Sequence, residues 1–273
     1  MFIVVRICFM PVDKSSERVR RMFGRIAGRY DFLNHLLSLG IDRYWRRRTV
    51  RLVPPRPQAG AARPLPILDV CTGTGDLALA YDRAARGRTP IVAADFCGEM
   101  LTIGRKKAAR AGADERVTFL EADAQSLPFD SDAFQIVCVA FGLRNVADTN
   151  RGLAEMVRVA AHGGRVAVLE FSTPSRQPLK LIYGWYFRRV LPRIGRLFAR
   201  ESGDAYEYLP ASVGEFPQGE AMCQRMRDAG LVDVRSYPLT FGVTTLYVGT
   251  KGLSAVGSRL SARESAGRIL ADS

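Results

Sequence analysis

Short apolar runs alternate with helix-like segments through most of the chain, and this alternation limits the fold more than any other feature. The helix-like segments lie at 76–86, 98–111 and 149–160. The apolar runs are Ile67–Cys71, Ile91–Asp95, Val117–Glu121, Phe134–Val139 and Arg165–Phe171. Strands that alternate with helices form a parallel sheet with helices on both faces. The sequence therefore predicts an α/β fold.

Two further apolar runs near the C-terminus are too close together for a helix to connect them. Val232–Leu239 and Val243–Lys251 follow a predicted helix at 218–229 and are joined through Phe241 and Gly242. Parallel neighbours need a crossover of a dozen residues or so, whereas antiparallel neighbours need only a short turn. We therefore expect an antiparallel hairpin at the edge of a mostly parallel, seven-stranded sheet.

The segments outside this pattern suggest three additions to the sheet domain. Residues 15–52 are predicted to be helical and form an N-terminal helical cap (1–60), which a Pro/Gly/Ala-rich linker connects to the domain at 61–251. Within that domain, 174–215 is an aromatic and basic insertion that we expect to act as a lid for the substrate or the membrane. The Ser/Ala/Arg-rich tail 252–273 is expected to be disordered.

A glycine-rich loop follows the first predicted strand. The segment Asp69–Gly75 reads Asp-Val-Cys-Thr-Gly-Thr-Gly and opens a helix, which suits close approach of a ligand to the backbone. Gly73-x-Gly75-x-x-Ala78 also fits the dinucleotide fingerprint, with Asp95 twenty residues beyond Gly75 to bind a ribose. The glycines alone leave a nicotinamide cofactor and S-adenosylmethionine (SAM) equally open.

Two acidic residues favour SAM. A carboxylate at Asp69 would repel a pyrophosphate, but it attracts a ligand that carries an ammonium and a sulfonium group. Asp123, just past the third strand, is placed to accept a hydrogen bond from an adenine amino group. Acidic residues after strands one, two and three, together with the terminal hairpin, are typical of the class I SAM-dependent methyltransferase fold, which is Rossmann-like.

Four further blocks of sequence carry a family resemblance. They are Tyr30–Trp45, Phe141–Val146, Arg158–Ser172 and Tyr208–Pro217, and they occur in this order. Together they resemble the quinone-biosynthesis C-methyltransferases, the menaquinone and ubiquinone enzymes that methylate a prenylated ring. The chain departs from that family at Asp42, where a His is common, at Leu33, where a Met is common, and at Ala140, where some relatives have a Ser that contacts the cofactor.

The resemblance implies a role for each candidate residue. The residues expected to bind SAM are Asp69, Gly73, Thr74, Gly75, Asp95, Asp123, Ala124 and Ala140. Arg144 and Asn145 are expected to contact the hydroxyl-bearing ring, with Arg144 stabilising a phenolate or orienting a water. Tyr30, Asp31 and Asn34 are expected to cap the pocket, with Asp31 as a candidate proton acceptor. Their structural alternatives are a packing role for Tyr30 and a helix N-cap for Asp31. Neither the residues nor the reaction suggests a metal.

The net charge of +13 lies mainly on the two flanks of the chain. The balance is +9 over residues 1–60, −1 over 61–170 and +5 over 171–273. Residues 180–200 place aromatic and aliphatic side chains on one helical face and arginines on the other, interrupted by Pro192. Such a segment suits an anionic membrane surface, or alternatively a lid over the protein's own core. No apolar stretch is long enough to span a bilayer. We therefore predict a cytoplasmic enzyme bound peripherally to the inner face of the cell membrane.

The residues leave other functions open. Demethylmenaquinol is the preferred substrate, and a benzoquinol precursor of ubiquinone would use the same groups. An RNA methyltransferase would suit the basic charge, but the chain lacks an Asn-Pro-Pro-Tyr motif and a recognisable RNA-binding module, so we expect no nucleic-acid partner. A non-catalytic SAM-binding or dehydrogenase-like domain is disfavoured by Asp69 and Asp123. The sequence makes no prediction of the oligomeric state.

Overall fold

The chain folds around one seven-stranded sheet with the strand order β3-β2-β1-β4-β5-β7-β6. A computed structural model describes residues 14–56, 64–174, 177, 181, 184, 208 and 211–252. The strands are β1 (Ile67–Val70), β2 (Ile91–Asp95), β3 (Val117–Glu121), β4 (Phe134–Ala140), β5 (Ala160–Phe171), β6 (Leu231–Leu239) and β7 (Thr244–Lys251). β1 to β5 pair in parallel, whereas β7 is antiparallel to both β5 and β6. The predicted fold and the edge hairpin are confirmed.

Six α-helices have both ends within the described residues, and a further helical segment is described at 211–215. The six are α1 (Ser16–Leu37), α2 (Asp42–Leu52), α3 (Asp76–Ala85), α4 (Gly98–Arg110), α5 (Thr149–Val159) and α6 (Glu220–Asp228). Successive residues of a strand point to opposite faces of the sheet. Ile67 therefore packs with residues of α2, α3 and α4, while its neighbour Leu68 packs with residues of α5 and α6. The central strands are apolar because helices cover both faces.

The predicted helical segment 15–52 is two helices rather than one. Leu39 and Gly40 have positive φ angles of 52° and 74°, and the amide of Gly40 donates to the carbonyl of His35 at 2.7 Å. A left-handed residue of this kind ends a helix by satisfying its last carbonyls. The chain therefore reverses between α1 and α2. α1 packs against α4 and α2 packs against α3, which places both helices beside the carboxyl ends of the strands.

Most predicted element boundaries agree with the structure within two residues, with one clear exception. β5 begins at Ala160 rather than at Arg165, because Ala160 already pairs with Phe134 of β4, before an irregularity in the register. The amphipathic segment 180–200 lies outside the described residues except for Leu181 and Gly184, and the predicted disordered tail lies outside them beyond residue 252. Among the residues described, no helix combines the length and hydropathy needed to cross a bilayer.

Candidate active site

A cavity of about 890 Å³, counted with its open mouth, lies at the carboxyl ends of the parallel strands. Ligands of open α/β sheets bind at this end. Nine of the twelve predicted site residues line it: Tyr30, Asp69, Gly73, Thr74, Asp95, Asp123, Ala124, Ala140 and Asn145. The other three are Asp31, Gly75 and Arg144, which lie behind this lining.

The glycine loop leads from β1 into α3 and leaves open space above its backbone. Gly73 and Gly75 have φ angles of 57° and 82°, a region that side chains other than glycine rarely adopt. A Cβ added at Gly73 would meet only the Tyr30 ring, at 3.9 Å. At Gly75 it would lie 2.9 Å from the ring of Phe119. Gly73 therefore faces the cavity, while Gly75 lets the loop pack on β3.

Asp69 lies at the end of β1 and is fully buried. Its Oδ2 atom accepts hydrogen bonds from Oγ1 of Thr72 at 2.5 Å and from the amide of Ala78 at 3.1 Å. Burial nevertheless raises the pKa of Asp69 to about 7. A cation bound in the cavity would favour the ionised form of this carboxyl group. The geometry is therefore suited to an ammonium or sulfonium ligand.

Asp95 and Asp123 follow β2 and β3 and differ in exposure. Asp95 is buried and accepts from the amides of Cys97 at 2.9 Å and Gly73 at 2.8 Å, one on each carboxylate oxygen. Each of these oxygens keeps a second lone pair for a ligand hydroxyl. Asp123 is exposed at the rim, where it accepts from the amide of Gln125 at 2.9 Å. The pair can therefore bind one buried and one outer part of the same ligand.

Tyr30 and Asp31 are adjacent on α1 but face different surroundings. Tyr30 lines the cavity, and burial raises the pKa of its hydroxyl. Asp31 accepts a hydrogen bond from Oγ1 of Thr74 at 2.6 Å and pairs with Nζ of Lys107 at 2.8 Å. The N-cap alternative for Asp31 is wrong, because α1 begins fifteen residues earlier, at Ser16. Its carboxylate instead connects α1 to the glycine loop and to α4.

Arg144 is buried below the cavity in the turn after β4. Its Nη1 atom lies 2.8 Å from Oε2 of Glu170 and 2.5 Å from the carbonyl oxygen of Phe141. Its guanidinium carbon lies 5.3 Å from the centroid of the Phe171 ring. These contacts hold the guanidinium group in one orientation. They leave only part of its hydrogen-bonding capacity for a ligand.

Several polar atoms near Arg144 are buried without a partner. Among the described residues, this holds for Nε of Arg144 and for Oδ1 of Asn145, the next residue in the turn. The hydroxyl groups of Tyr208 and Thr244 are in the same situation. Burial raises the pKa of Tyr208 to about 12, although the charge of Arg144 opposes the shift. A buried polar atom without a partner is costly, so these atoms are candidate contacts for a ligand or for a water molecule.

Sequence reasoning missed several residues that line the cavity. Phe23 comes from α1, Arg46 from α2, and Phe96 and Met100 come from the region after β2. The Asp42–Arg46 spacing of four residues is the one signal that could have suggested Arg46. Even so, the sequence does not indicate that this side of α2 faces the glycine loop. Phe23 and Met100 are ordinary apolar positions of helices, and Phe96 is an apolar residue of the turn after β2.

His35, Asp42 and Asp76 form a cluster with the spacing of a metal site, their ligand atoms lying within 4.8 Å of one another. The surrounding charges argue for a different role. Arg46 pairs with Asp42, and Lys107 pairs with Asp76. Because these cations already neutralise the carboxylates, the cluster is suited to connecting α2 with α3 and α4 rather than to binding a metal ion.

The lining as a whole fits SAM. Its methionine part carries an ammonium group and a carboxylate, its sulfur is cationic, and its ribose and adenine offer hydroxyl and amino groups. Asp69, Asp95 and Asp123 line the cavity and are suited to such cationic and donor groups. The open backbone at Gly73 allows the close approach that a cofactor needs.

Comparison with known proteins agrees with this chemistry. Residues 11–251 match the model of the ubiE/COQ5 methyltransferase family. A demethylmenaquinone methyltransferase of Thermus thermophilus is 49% identical over 84% of this chain and 100% of its own. A ubiquinone/menaquinone biosynthesis C-methyltransferase of Geobacter sp. is 46% identical over 88% of this chain and 99% of its own.

Solved structures support the fold. A SAM-dependent methyltransferase from Thermotoga maritima aligns with a TM-score of 0.57 at 17% identity, covering 85% of this chain and 99% of its own. Another, from Aquifex aeolicus, aligns with a TM-score of 0.53 at 15% identity, covering 75% of this chain and 88% of its own. At such low identity these similarities establish the class I fold alone.

Proposed function

The chain belongs to the ubiE/COQ5 methyltransferase family, and we propose that it methylates a ring carbon of the prenylated naphthohydroquinone demethylmenaquinol to form menaquinol. Relatives at 41% and 49% identity are named demethylmenaquinone methyltransferases, and these matches span most of both chains. SAM, when bound, supplies the methyl group as a sulfonium electrophile. The chain's own residues must bind both reactants, orient them and handle one ring proton.

One observation carries the choice of acceptor. The unpartnered Nε of Arg144 and Oδ1 of Asn145 lie on adjacent residues, beside the aromatic rings of Phe141 and Phe171. The two rings are 4.6 Å apart between centroids. A phenolic hydroxyl can donate to one of these polar atoms and accept from the other, while its ring packs on aromatic faces. This arrangement favours a hydroxylated aromatic acceptor.

Arg144 is suited to stabilising a phenolate rather than to removing its proton. A ring carbon becomes nucleophilic when a neighbouring hydroxyl loses its proton, and a fixed cation lowers the cost of that charge. Arginine does not accept a proton in this pH range. Asp31 is engaged by Lys107 and Thr74, so we assign the hydroxyl proton to a water molecule oriented by Asn145. After methyl transfer the methylated ring carbon loses its proton to water and the ring oxygen is protonated again, so that one proton is released per turnover. Tyr30, at the side of the cavity, limits the entry of other water.

The activity assay must separate three acceptors. Purified enzyme is incubated with SAM carrying a labelled methyl group and, in turn, demethylmenaquinol, a benzoquinol precursor and bulk RNA. We expect transfer to demethylmenaquinol, with mass spectrometry placing the methyl group on a ring carbon. Exclusive transfer to the benzoquinol would mean that the enzyme methylates a ubiquinone precursor rather than demethylmenaquinol. The Geobacter relative is named for both the ubiquinone and the menaquinone pathway. Transfer to RNA, or to an oxygen of the quinol, would overturn the proposal.

We also propose that the enzyme works at the inner face of an anionic membrane, where a prenylated acceptor resides. Three exposed apolar side chains, here called the apolar patch, lie in α2, in the turn before it and in the turn before β7: Tyr44 at 49%, Leu39 at 80% and Phe241 at 78%. Trp45 and Thr240, which adjoin two of them, are joined by a hydrogen bond of 2.7 Å. The turn before α2 and the turn before β7 therefore form one surface.

Positive charge surrounds the apolar patch on the outer side of α2. Arg47, Arg48 and Arg51 are exposed there, and none of them pairs with a carboxylate among the residues that the structure describes. Apolar side chains flanked by arginines suit a bilayer that carries anionic headgroups. The amphipathic segment 180–200, predicted for the same purpose, lies outside the described residues.

Co-sedimentation with vesicles tests the membrane proposal. We expect binding to vesicles with anionic lipid, weaker binding to neutral vesicles, and loss of binding in a Leu39→Ser/Phe241→Ser variant. Val232→Ser is the control, because Val232 is a half-exposed apolar residue at the start of the edge strand β6, at the other end of that strand from Phe241. Equal binding of all three proteins would contradict a role for the patch.

A further inference from the structure

In the part of the chain that the structure describes, the cavity is lined by several carboxylates and by a single basic side chain whose role has not been explained. Among the described lining residues, four carry carboxylates: Asp69, Asp76, Asp95 and Asp123. Arg46 is the one basic residue in this set. SAM carries two cationic groups and a single carboxylate, on the methionine part. Three of the carboxylates have assigned partners on the ligand, whereas no residue has yet been assigned to the ligand carboxylate.

Arg46 is held firmly but keeps donors for a ligand. Its Nη1 atom lies 2.5 Å from Oδ2 of Asp42, and its guanidinium carbon lies 5.8 Å from the centroid of the Phe141 ring. Its Nη2 atom lies 3.8 Å from Oδ2 of Asp76, which is longer than a hydrogen bond. The side chain is only 11% exposed. Its orientation is therefore fixed by two neighbours while Nη2 retains N–H groups for a further acceptor.

The charge state of the surroundings keeps Arg46 available. Burial opposes ionisation of Asp42, but the hydrogen bond from Ser38, the charge of Arg46 and the contact with His35 together outweigh it and hold the pKa of Asp42 below its usual range. The ionised Asp42 supports the buried guanidinium without occupying all of its five N–H groups. Lys107 meanwhile pairs with Asp76, which reduces the demand of Asp76 on Arg46.

Arg46 also lies within electrostatic range of the carboxyl group expected to bind the ligand ammonium. Burial raises the pKa of Asp69, and the charge of Arg46 is among the groups that oppose this shift. The ammonium and the carboxylate of methionine are attached to the same carbon atom. Their binding groups on the protein must therefore lie close together, as Asp69 and Arg46 do across the glycine loop.

We propose that Arg46 binds the carboxylate of the methionine part of SAM. The planar guanidinium matches a carboxylate through parallel hydrogen bonds, which a lysine cannot reproduce. Asp69 and Arg46 together then recognise both charged groups of an α-amino acid, so that adenosine derivatives without that part are bound less tightly. This inference rests on the cofactor and is independent of the acceptor and of the membrane.

Equilibrium binding of three ligands tests it without any methyl transfer. The ligands are SAM, decarboxylated SAM, which keeps the amine and the sulfonium, and 5′-methylthioadenosine, which lacks the whole amino-acid part. Losing a charge-assisted contact costs about ten- to hundredfold in affinity. We therefore expect Arg46→Met to weaken SAM by this factor and to change the binding of the other two ligands less than about threefold. Arg46→Lys is expected to restore only part of the loss, since it keeps the charge without the fork.

Retained binding of 5′-methylthioadenosine also shows that the variant is folded. The matched control is Arg83→Met, which removes an exposed arginine late in α3. If Arg46→Met weakens all three ligands equally, the residue merely supports the cavity and the proposal fails. The proposal also fails if Arg46→Met leaves the affinity for SAM unchanged. A variant in which only the KM for the acceptor rises would be one such case. Arg46→Met leaves the buried Asp42 carboxylate without its arginine partner and could fail to fold for that reason. In that case the Asp42→Asn/Arg46→Met double variant removes this carboxylate as well, and its affinities for the same three ligands test the proposal.

Discussion

Nη1 of Arg144 lies 2.8 Å from Oε2 of Glu170, and the two side chains are 7% and 1% exposed. Glu170 also accepts a hydrogen bond from the backbone amide of Arg144 at 3.2 Å. The pair thus joins the turn after β4 to the end of β5 beneath the cavity. An ion pair this deeply buried costs desolvation, and it is stable only while both partners are present.

Removing both partners should therefore destabilise the protein less than the two single losses added together. We expect Glu170→Gln to lower the free energy of unfolding by about 3–5 kcal/mol, because it leaves a buried guanidinium without its counter-charge. The Arg144→Met/Glu170→Gln double variant should lose less than the sum of the single variants, with a coupling of about 1–3 kcal/mol. Urea unfolding of the four proteins measures the cycle. Additive losses would show that the two side chains do not depend on each other.

Asn145 should affect turnover without affecting the cofactor. Asn145→Ala removes the unpartnered Oδ1 atom, so we expect kcat/KM for the quinol to fall about ten- to hundredfold. The affinity for SAM should change little, because the acceptor contacts are separate from the carboxylates of β1 to β3. Steady-state kinetics and calorimetry measure the two effects. Asn150→Ala, an exposed asparagine in the first turn of α5, should leave both unchanged.

The strands were predictable because each carries an apolar run with its own boundaries. Val117–Glu121 and Ile91–Asp95 agree with the structure at both ends, since a loop residue follows each strand directly. The acidic residues after the strands were predictable as cavity residues for the same reason. Parallel strands bring their carboxyl ends to one edge, so the sequence position determines the location.

The contacts of the charged residues were not predictable in this way. Asp31 pairs with Lys107, which is 76 residues away, and Arg144 with Glu170, which is 26 residues away. A sequence pattern indicates that such a residue lies near the site, but not which neighbour it contacts. Whether a guanidinium faces a ligand or a buried carboxylate depends on packing between elements. Arg46 was missed for this reason, and the pairing of Arg144 with Glu170 was not predicted.

The affinity for SAM should rise with pH across neutrality because of Asp69. Burial raises the pKa of this carboxyl group to about 7, and the cationic ligand binds the ionised form. Below the pKa, binding must release a proton, so the affinity falls as the pH falls. Between pH 8 and pH 6 the ionised fraction of such a group drops about tenfold, and the affinity should follow it.

Calorimetry at several pH values, in buffers of different ionisation enthalpy, measures both the affinity and the protons released. The Asp69→Asn variant binds SAM more weakly and has no carboxyl proton to release at this position. The pH dependence of its affinity therefore reports the ionisation of the ligand alone and serves as the baseline. The wild-type profile should be steeper than that baseline between pH 6 and pH 8. Parallel profiles in the two proteins would mean that Asp69 is already ionised throughout this range.

Gly142 should tolerate no side chain, because the ends of β1 and β4 meet there. A Cβ atom added at Gly142 would lie 2.4 Å from Cβ of Cys71, and both residues line the cavity. Gly142→Ala must push the two strand ends apart, so we expect a loss of about 1–3 kcal/mol in stability together with weaker SAM binding. Thermal unfolding and calorimetry measure these effects. Gly28→Ala in α1, where a Cβ has nothing within 4 Å, should instead stabilise the helix by about 0.5–1 kcal/mol. Adding Cys71→Gly to Gly142→Ala removes the clashing Cβ atom of Cys71. Because Cys71 has a φ of 51°, glycine is tolerated there, and the double variant should regain much of the lost stability. A double variant as unstable as Gly142→Ala would refute this explanation.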